Sequence, residues 1–321
     1  MYKAILEKLK KYNSIVIFGH LNPDGDCYGS QLALRRTLQL KYPEKEIYAV
    51  GSGLHRFYDT LGKMDVVSEK VIERSLAVIV DGNDIPRMED QRIKFAKDFI
   101  KFDHHVDVGS FTEGPSIVRE DYSSCCEILL DFIRDNNFPI DQQIAQCLFL
   151  GILTDTARFQ FVNNYGKIFN DAAYLCSIGA DPEALNKVLS QSSENAASFK
   201  GYVYTHFKKT EHGVLHIFLS RNQLRRYRIN ANAASGMVNL LSNIRGYPIW
   251  MFACENNNRT IHIEFRSNGP EVQSLAASIG GGGHKFASGV TLPEFNEETT
   301  KMVIDLCDKA VVEWKEQGGE Q

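Results

Sequence analysis

Four short apolar runs punctuate the first hundred or so positions: 14–18 (SIVIF), 46–50 (EIYAV), 76–80 (LAVIV) and 98–102 (DFIKF). Runs of this length with little polar alternation predict strands buried on both faces, as in parallel sheets. Between them lie a helix-like YGSQLALRRTLQL and a short helix or turn at LHRFYDTLG. Strands alternating with helices predict βαβ units and an α/β fold, a parallel sheet with helices on both faces. Two more helices are predicted at SSCCEILLDFIRDN, with Ser123 or Ser124 as N-cap, and at QQIAQCLFLGIL, which leads into TDTARF.

The rhythm changes after GADPEALNKVLS, where QSSENAAS is small and polar. This places a domain boundary near residue 190 and divides the chain into 1–190 and 191–321. A helix is predicted around 196–208. VLHIFLS, a helical NAASGMVNLLSNI, and IWMFACEN with TIHIEFRS as a hairpin around NNNR then read as a smaller α+β domain, closed by EVQSLAASIGGGGHKFASG and a helical tail. Alternation in TIHIEFRS sets His262, Glu264 and Arg266 on one face and Ile261, Ile263 and Phe265 on the other.

Composition narrows the partners. The 321 residues are 43% hydrophobic and 24% charged, an ordinary globular balance that excludes long disordered tracts. A net charge of −4 shows no sign of the basic face used to track long nucleic acid, so a nucleotide substrate would be short and held in a local pocket. No stretch approaches the ~20 apolar residues of a membrane span. The opening MYKAILEKLKKYNS lacks the apolar core and cleavage site of a signal peptide. Seven cysteines without CxxC spacing, Cys125 and Cys126 being neighbours, fit a reduced, cytoplasmic protein.

Candidate chemistry gathers where strands end. SIVIF is followed by GHLNPDGD, LAVIV by DGND and DFIKF by DHH. Ligands of open parallel sheets bind beyond the carboxyl ends of the strands, so His20, Asp24, Asp26, Asp81, Asp103, His104 and His105 are expected to meet there, joined by Asp155 of TDTARF. A lone Asp in such a place is usually a turn or helix cap. So many carboxylates together would repel one another unless cations neutralised them. Oxygen and imidazole donors without thiolates suit Mn²⁺, Mg²⁺ or Fe²⁺, and about seven ligands suit two ions sharing a carboxylate, the arrangement that hydrolyses phosphate esters.

HLNPDGDCYGS, the Asp of VDGND, FDHHV and TDTARF resemble the motifs of the DHH phosphoesterase superfamily, and the second half, with its GGGH, resembles the associated C-terminal domain. Length and order are similar to the subfamily of oligoribonucleases that also dephosphorylate pAp. The resemblance implies a cleft enzyme with two divalent cations, Mn²⁺ foremost. His20, Asp24 and Asp81 would hold one ion; Asp26, Asp81, His104 and Asp155 the other, with Asp81 bridging. His105 would contact the scissile phosphate or assist the leaving group, and Asp103 would orient the histidines. Arg266 and Ser267, with Gly281, Gly282, Gly283 and His284, would bind substrate phosphate. The implied partners are short RNA or small nucleotides, with neither long nucleic acid nor membrane, a homodimer being left open. The alternatives are a phosphodiesterase of cyclic or linear dinucleotides, an exopolyphosphatase or pyrophosphatase, and a non-catalytic nucleotide-binding regulator. The chain departs from the pattern at Cys27, where the family often has a small residue such as Ala, and at Ala157, where TDTGRF would have Gly. GND after Asp81 and the lack of an Asn shortly after the histidines are further departures.

Overall fold

The computed structural model describes residues 2–106, 111–294 and 296–319. The chain divides into two compact units, Met1–Gln191 and Ser192–Gln321.

The first unit is built on five parallel strands, β1 (Ser14–Phe18), β2 (Glu46–Val50), β3 (Leu76–Val80), β4 (Asp98–Asp103) and β5 (Ser116–Val118), in the order β2-β1-β3-β4-β5. The predicted runs become β1 to β4. β1 and β3 are buried at every residue because both faces are covered. On one face Ile15, Ile17, Val78, Val80, Ile100 and Phe102 pack under the helices Lys3–Lys11, Gly25–Lys41, Cys125–Asp135 and Gln142–Asp155. On the other, Val16, Phe18, Ala77 and Ile79 meet Ile72, Met88 and Ile93. Each buried aliphatic side chain contributes roughly 1.5–3 kcal/mol, which is why an all-apolar run settles in the middle of this sheet.

Two helices bring the ends of these elements together through glycine. A Cβ at Gly29 would lie 2.4 Å from the Cys147 carbonyl oxygen, and one at Gly151 would lie 2.5 Å from Asp26 Oδ1 and 2.3 Å from Cys126 Sγ. The helices Gly25–Lys41 and Gln142–Asp155 therefore approach backbone to backbone.

The second unit holds a six-stranded mixed sheet of β6 (Lys208–Lys209), β7 (Val214–Leu219), β8 (Ile249–Glu255), β9 (Ile261–Ser267), β10 (Gly282–His284) and β11 (Ala287–Leu292), ordered β10-β11-β9-β8-β7-β6. β7 and β8 are parallel, while β8 and β9 form the antiparallel pair anticipated from the alternation. Ile261, Ile263 and Phe265 pack with Val303, Cys307 and Val311 of the helix Glu297–Glu316. The opposite face packs Leu215, Ile217, Trp250 and Phe252 with Phe199 and Val203 of the helix Glu194–His206. Among the described residues no helix is long and apolar enough to cross a membrane.

Candidate metal centre

Each strand end delivers its side chains by a local device. Past β1, Asp24 caps the helix Gly25–Lys41, its carboxylate accepting from the Asp26 and Cys27 amides at 3.0 Å each. That cap fixes the turn carrying His20 and aims Asp26 inward, where it is fully buried. Past β3, Asp81 adopts φ 56°, a left-handed conformation that Asp tolerates better than most residues. Its amide donates to the Phe102 carbonyl at 3.0 Å, locking it to β4. Asp103 ends β4 and is followed by the two histidines. Asp155 is the last residue of its helix, and the turn after it is held by three successive left-handed residues, Ala157, Arg158 and Phe159. Buried Thr156 supports that turn by accepting the Phe159 amide at 2.9 Å.

The side chains converge on Asp81. Its Oδ2 lies 3.4 Å from His20 Nε2 and its Oδ1 3.4 Å from His104 Nε2, and His105 Nδ1 lies 3.7 Å from Oδ1. His104 Nε2 also lies 3.2 Å from Asp155 Oδ2 and 3.9 Å from Asp26 Oδ2. Asp24 Oδ1 is 3.8 Å from His20 Nε2. All the sequence-predicted residues of the first unit are thus brought to one edge. Asp103 is turned to His105, accepting from its Nδ1 at 2.8 Å.

Burial and close-packed charge act together on Asp26, Asp155, His104, His20 and Asp81. Burial, then the nearby Asp81 and Asp155 charges, push the Asp26 carboxyl well above its ordinary range. Burial likewise raises Asp155 to about 7 against the pull of His104. Burial opposes the charged form of His104, yet the carboxylates of Asp155 and Asp81 beside it outweigh that and lift the imidazole to about 12. His20 is raised in the same way by Asp24 and Asp81. Burial works against ionised Asp81, but the two histidines hold it below the usual carboxylate range. So many buried acids side by side favour partners that neutralise their charge, protons or cations.

The donor set fits divalent metal. Among the described residues, His20, Cys27 and Asp81; Asp81, His104 and His105; and Asp26, His104 and Asp155 each place their ligand atoms within 4.8 Å of one another. Asp81 Oδ1 is buried without a hydrogen-bond partner, His104 Nε2 standing 3.4 Å away, as suits an oxygen placed to ligate a cation. His20 Nδ1 donates to the Leu21 carbonyl at 3.0 Å, which leaves Nε2 facing the carboxylates. Metal competes with protons for these ligands, so loading is expected to release protons and affinity to fall as pH falls, by up to about tenfold per pH unit for each displaced proton. Calorimetric titration in two buffers of different ionisation enthalpy measures this; pH-independent affinity would contradict the proton inventory.

Sequence reading missed three contributors. Lys101, 1% exposed in the middle of β4, donates to the Asn83 carbonyl at 3.2 Å and lies 3.6 Å from Asp103 Oδ2; a lysine inside an apolar run was the available signal. Asp26 accepts the Cys125 amide at 2.6 Å and the Cys126 amide at 2.9 Å, a contact across about a hundred residues that no local pattern announces. Cys27 lies in the first ligand group.

In the second unit, Arg266 donates to Glu264 Oε2 at 2.7 Å, and His262 Nε2 lies 2.8 Å from Glu264 Oε1, a polar row along β9. Ser267 ends β9, its hydroxyl accepting the Gly269 amide at 2.9 Å. The glycine run is only partly a loop, since Gly282–His284 forms edge strand β10, paired with β11. Gly281 and Gly283 are required by packing, because a Cβ there would lie 2.4 Å from the Gly289 oxygen and 2.6 Å from the Ala287 oxygen; at Gly282 a Cβ would meet nothing within 4 Å.

A parallel sheet gathering carboxylates and imidazoles at its carboxyl edge, followed by a mixed-sheet unit, is the arrangement the motifs anticipate. The chain belongs to the DHH family of phosphoesterases. Residues 14–152 match the DHH family N-terminal domain and 211–313 the DHHA1 domain. Over 311 residues the chain is 33% identical to the bifunctional oligoribonuclease and PAP phosphatase NrnA of Mycoplasma genitalium, covering 96% of both. It is 29% identical to the protein of the same name from Bacillus subtilis, covering 95% of this chain and 97% of that one. The crystal structure of an exopolyphosphatase-related protein from Bacteroides fragilis matches the fold with a TM-score of 0.83 at 22% identity, covering 98% of this chain and 96% of that one.

Proposed function

We propose that this chain is a Mn²⁺-dependent phosphohydrolase that degrades RNA of a few nucleotides and converts pAp to AMP. One observation carries the reading: Asp81 turns one oxygen to His20 and the other to His104, each at 3.4 Å, so that one carboxylate joins two ligand groups. The substrate class follows the names of the relatives described above.

His20, Asp24 and Asp81 would hold one ion, and Asp26, Asp81, His104 and Asp155 the other. When bound, such a pair supplies an activated water and offsets charge on the phosphate. His105 would contact the scissile phosphate or pass a proton to the leaving oxygen, its ring held at Nδ1 by Asp103. Lys101 beside Asp103 offsets a buried carboxylate and so keeps that orientation fixed. Residues 191–321 would supply specificity, with Arg266 and the backbone of the glycine run gripping a second phosphate.

Arg266→Ala is expected to raise KM for pAp by about 10- to 100-fold, the worth of a charge-assisted contact, while Mn²⁺ affinity stays unchanged. Steady-state kinetics beside a metal titration separates the two effects. The reading as a whole is tested by hydrolysis with Mn²⁺ of pAp, RNAs of two to five nucleotides, a ~20-nucleotide RNA, cyclic di-AMP and linear pApA. Activity on pAp and short RNA that fades with length supports it. Fast cleavage of the cyclic dinucleotide with pAp untouched overturns the substrate assignment.

A further inference from the structure

Cys27 is fully buried at the third position of the helix Gly25–Lys41. Side chains in a helix lean toward its N-terminus, and here that direction is the edge carrying His20. The thiol has a weak partner: Sγ lies 3.9 Å from Gln31 Oε1. Gln31 is itself pinned, its amide donating to the Ile17 carbonyl at 3.2 Å and the Val50 carbonyl at 2.9 Å. Sγ, a ring nitrogen of His20 and a carboxylate oxygen of Asp81 all lie within 4.8 Å of one another. Asp81 is 1% exposed and turns Oδ2 to His20 Nε2 at 3.4 Å, so a buried carboxylate oxygen faces the same group. Asp24 adds a fourth donor 3.8 Å from His20 Nε2.

We infer that Cys27 is an additional ligand of the ion held by His20, Asp24 and Asp81, and that it makes this half of the centre selective for thiophilic divalent cations, zinc above all. The inference rests on the metal-dependent reading above and divides the centre chemically. Sulfur, nitrogen and oxygen donors at this spacing form a four-ligand set of the kind that suits Zn²⁺, whereas manganese and magnesium prefer oxygen-rich sites. The other half, Asp26, His104 and Asp155, offers only oxygen and nitrogen and lacks the added preference that sulfur brings. Offered alone, Mn²⁺ occupies both halves; in competition, Zn²⁺ displaces it from the His20 half. Ligation replaces the thiol proton, which leaves to solvent.

The experiment uses the full chain stripped of metal and reloaded with Co²⁺, whose bond to a thiolate gives a near-ultraviolet charge-transfer band. The wild type, Cys27→Ala, Cys27→Ser and, as a control at an exposed thiol, Cys176→Ser are compared. Ala removes the sulfur at little cost in volume, and Ser keeps a hydroxyl to face Gln31, so one variant guards against misfolding of the other. The band is expected in the wild type and in Cys176→Ser and absent from both Cys27 variants. The preference for Zn²⁺ over Mn²⁺ in competitive binding is expected to fall by at least about tenfold in those variants. Co²⁺ binding without the band in the wild type, a band that survives removal of Cys27, or an unchanged metal preference each overturns the role of Cys27 and leaves the metal centre standing. Failure of every protein to bind Co²⁺ overturns the metal centre itself and the inference with it.

Discussion

Asp81→Asn is expected to fold like the wild type and to lose at least roughly a thousandfold in turnover, about 4 kcal/mol of transition-state stabilisation. Asn is the informative replacement because residue 81 has φ 56°, where Asn is tolerated and Ala is strained. The amide keeps the shape of the carboxylate and one acceptor oxygen, but no longer offers a charged oxygen to both His20 and His104. Its other terminal atom becomes an NH₂ donor facing an imidazole nitrogen. The expected readouts are a native circular dichroism spectrum, weakened metal binding and lost hydrolysis of pAp. Turnover within about twofold of wild type would show that Asp81 joins nothing that matters to the reaction.

Gly151→Ala is the second large effect, and it acts through packing. The added methyl would lie 2.3 Å from Cys126 Sγ and 2.5 Å from Asp26 Oδ1, in a region already buried. Neither neighbour can retreat cheaply, because Asp26 is held by the Cys125 and Cys126 amides. Overpacking of this kind costs about 1–3 kcal/mol, and the strain is resolved by moving Asp26 or its helix away from His104 and Asp155. Thermal unfolding is expected at lower temperature, with metal affinity reduced in parallel. Gly201→Ala is the control: a Cβ in the helix Glu194–His206 meets nothing within 4 Å, so gains of about 0.5–1 kcal/mol are expected. Unchanged metal affinity in Gly151→Ala would separate this glycine from the site.

How far the sequence reveals this molecule depends on whether each feature is local. β1 to β4 were legible because strands buried on both faces must be apolar throughout. β5 was missed: Ser116–Val118 is three residues at the sheet edge with only Ile117 buried, too short for a periodic signal. The helix Tyr165–Ile178 also escaped notice, although Ile168, Ala172 and Leu175 recur at helical spacing and mark its buried side. In the site, His20, Asp81, Asp103, His104 and His105 could be placed together from topology alone, since parallel strands end on one edge. The second partners of Asp26 and the close approach at Gly151 could not, because they arise where one helix meets two others. The glycine run shows a different limit. Its composition suggested an anion-binding loop, whereas much of its need for glycine comes from the backbone of β11 close against it.

The ligand assignment and the reaction are tested together by titrating metal-free protein with Mn²⁺, counting bound ions by electron paramagnetic resonance and following pAp hydrolysis in the same samples. Two ions per chain are expected, spin-coupled through the shared carboxylate, with turnover rising as the second site fills and both coupling and turnover lost in Asp81→Asn. Full turnover with no ion bound, or two coupled ions persisting in Asp81→Asn, would contradict a centre built around Asp81.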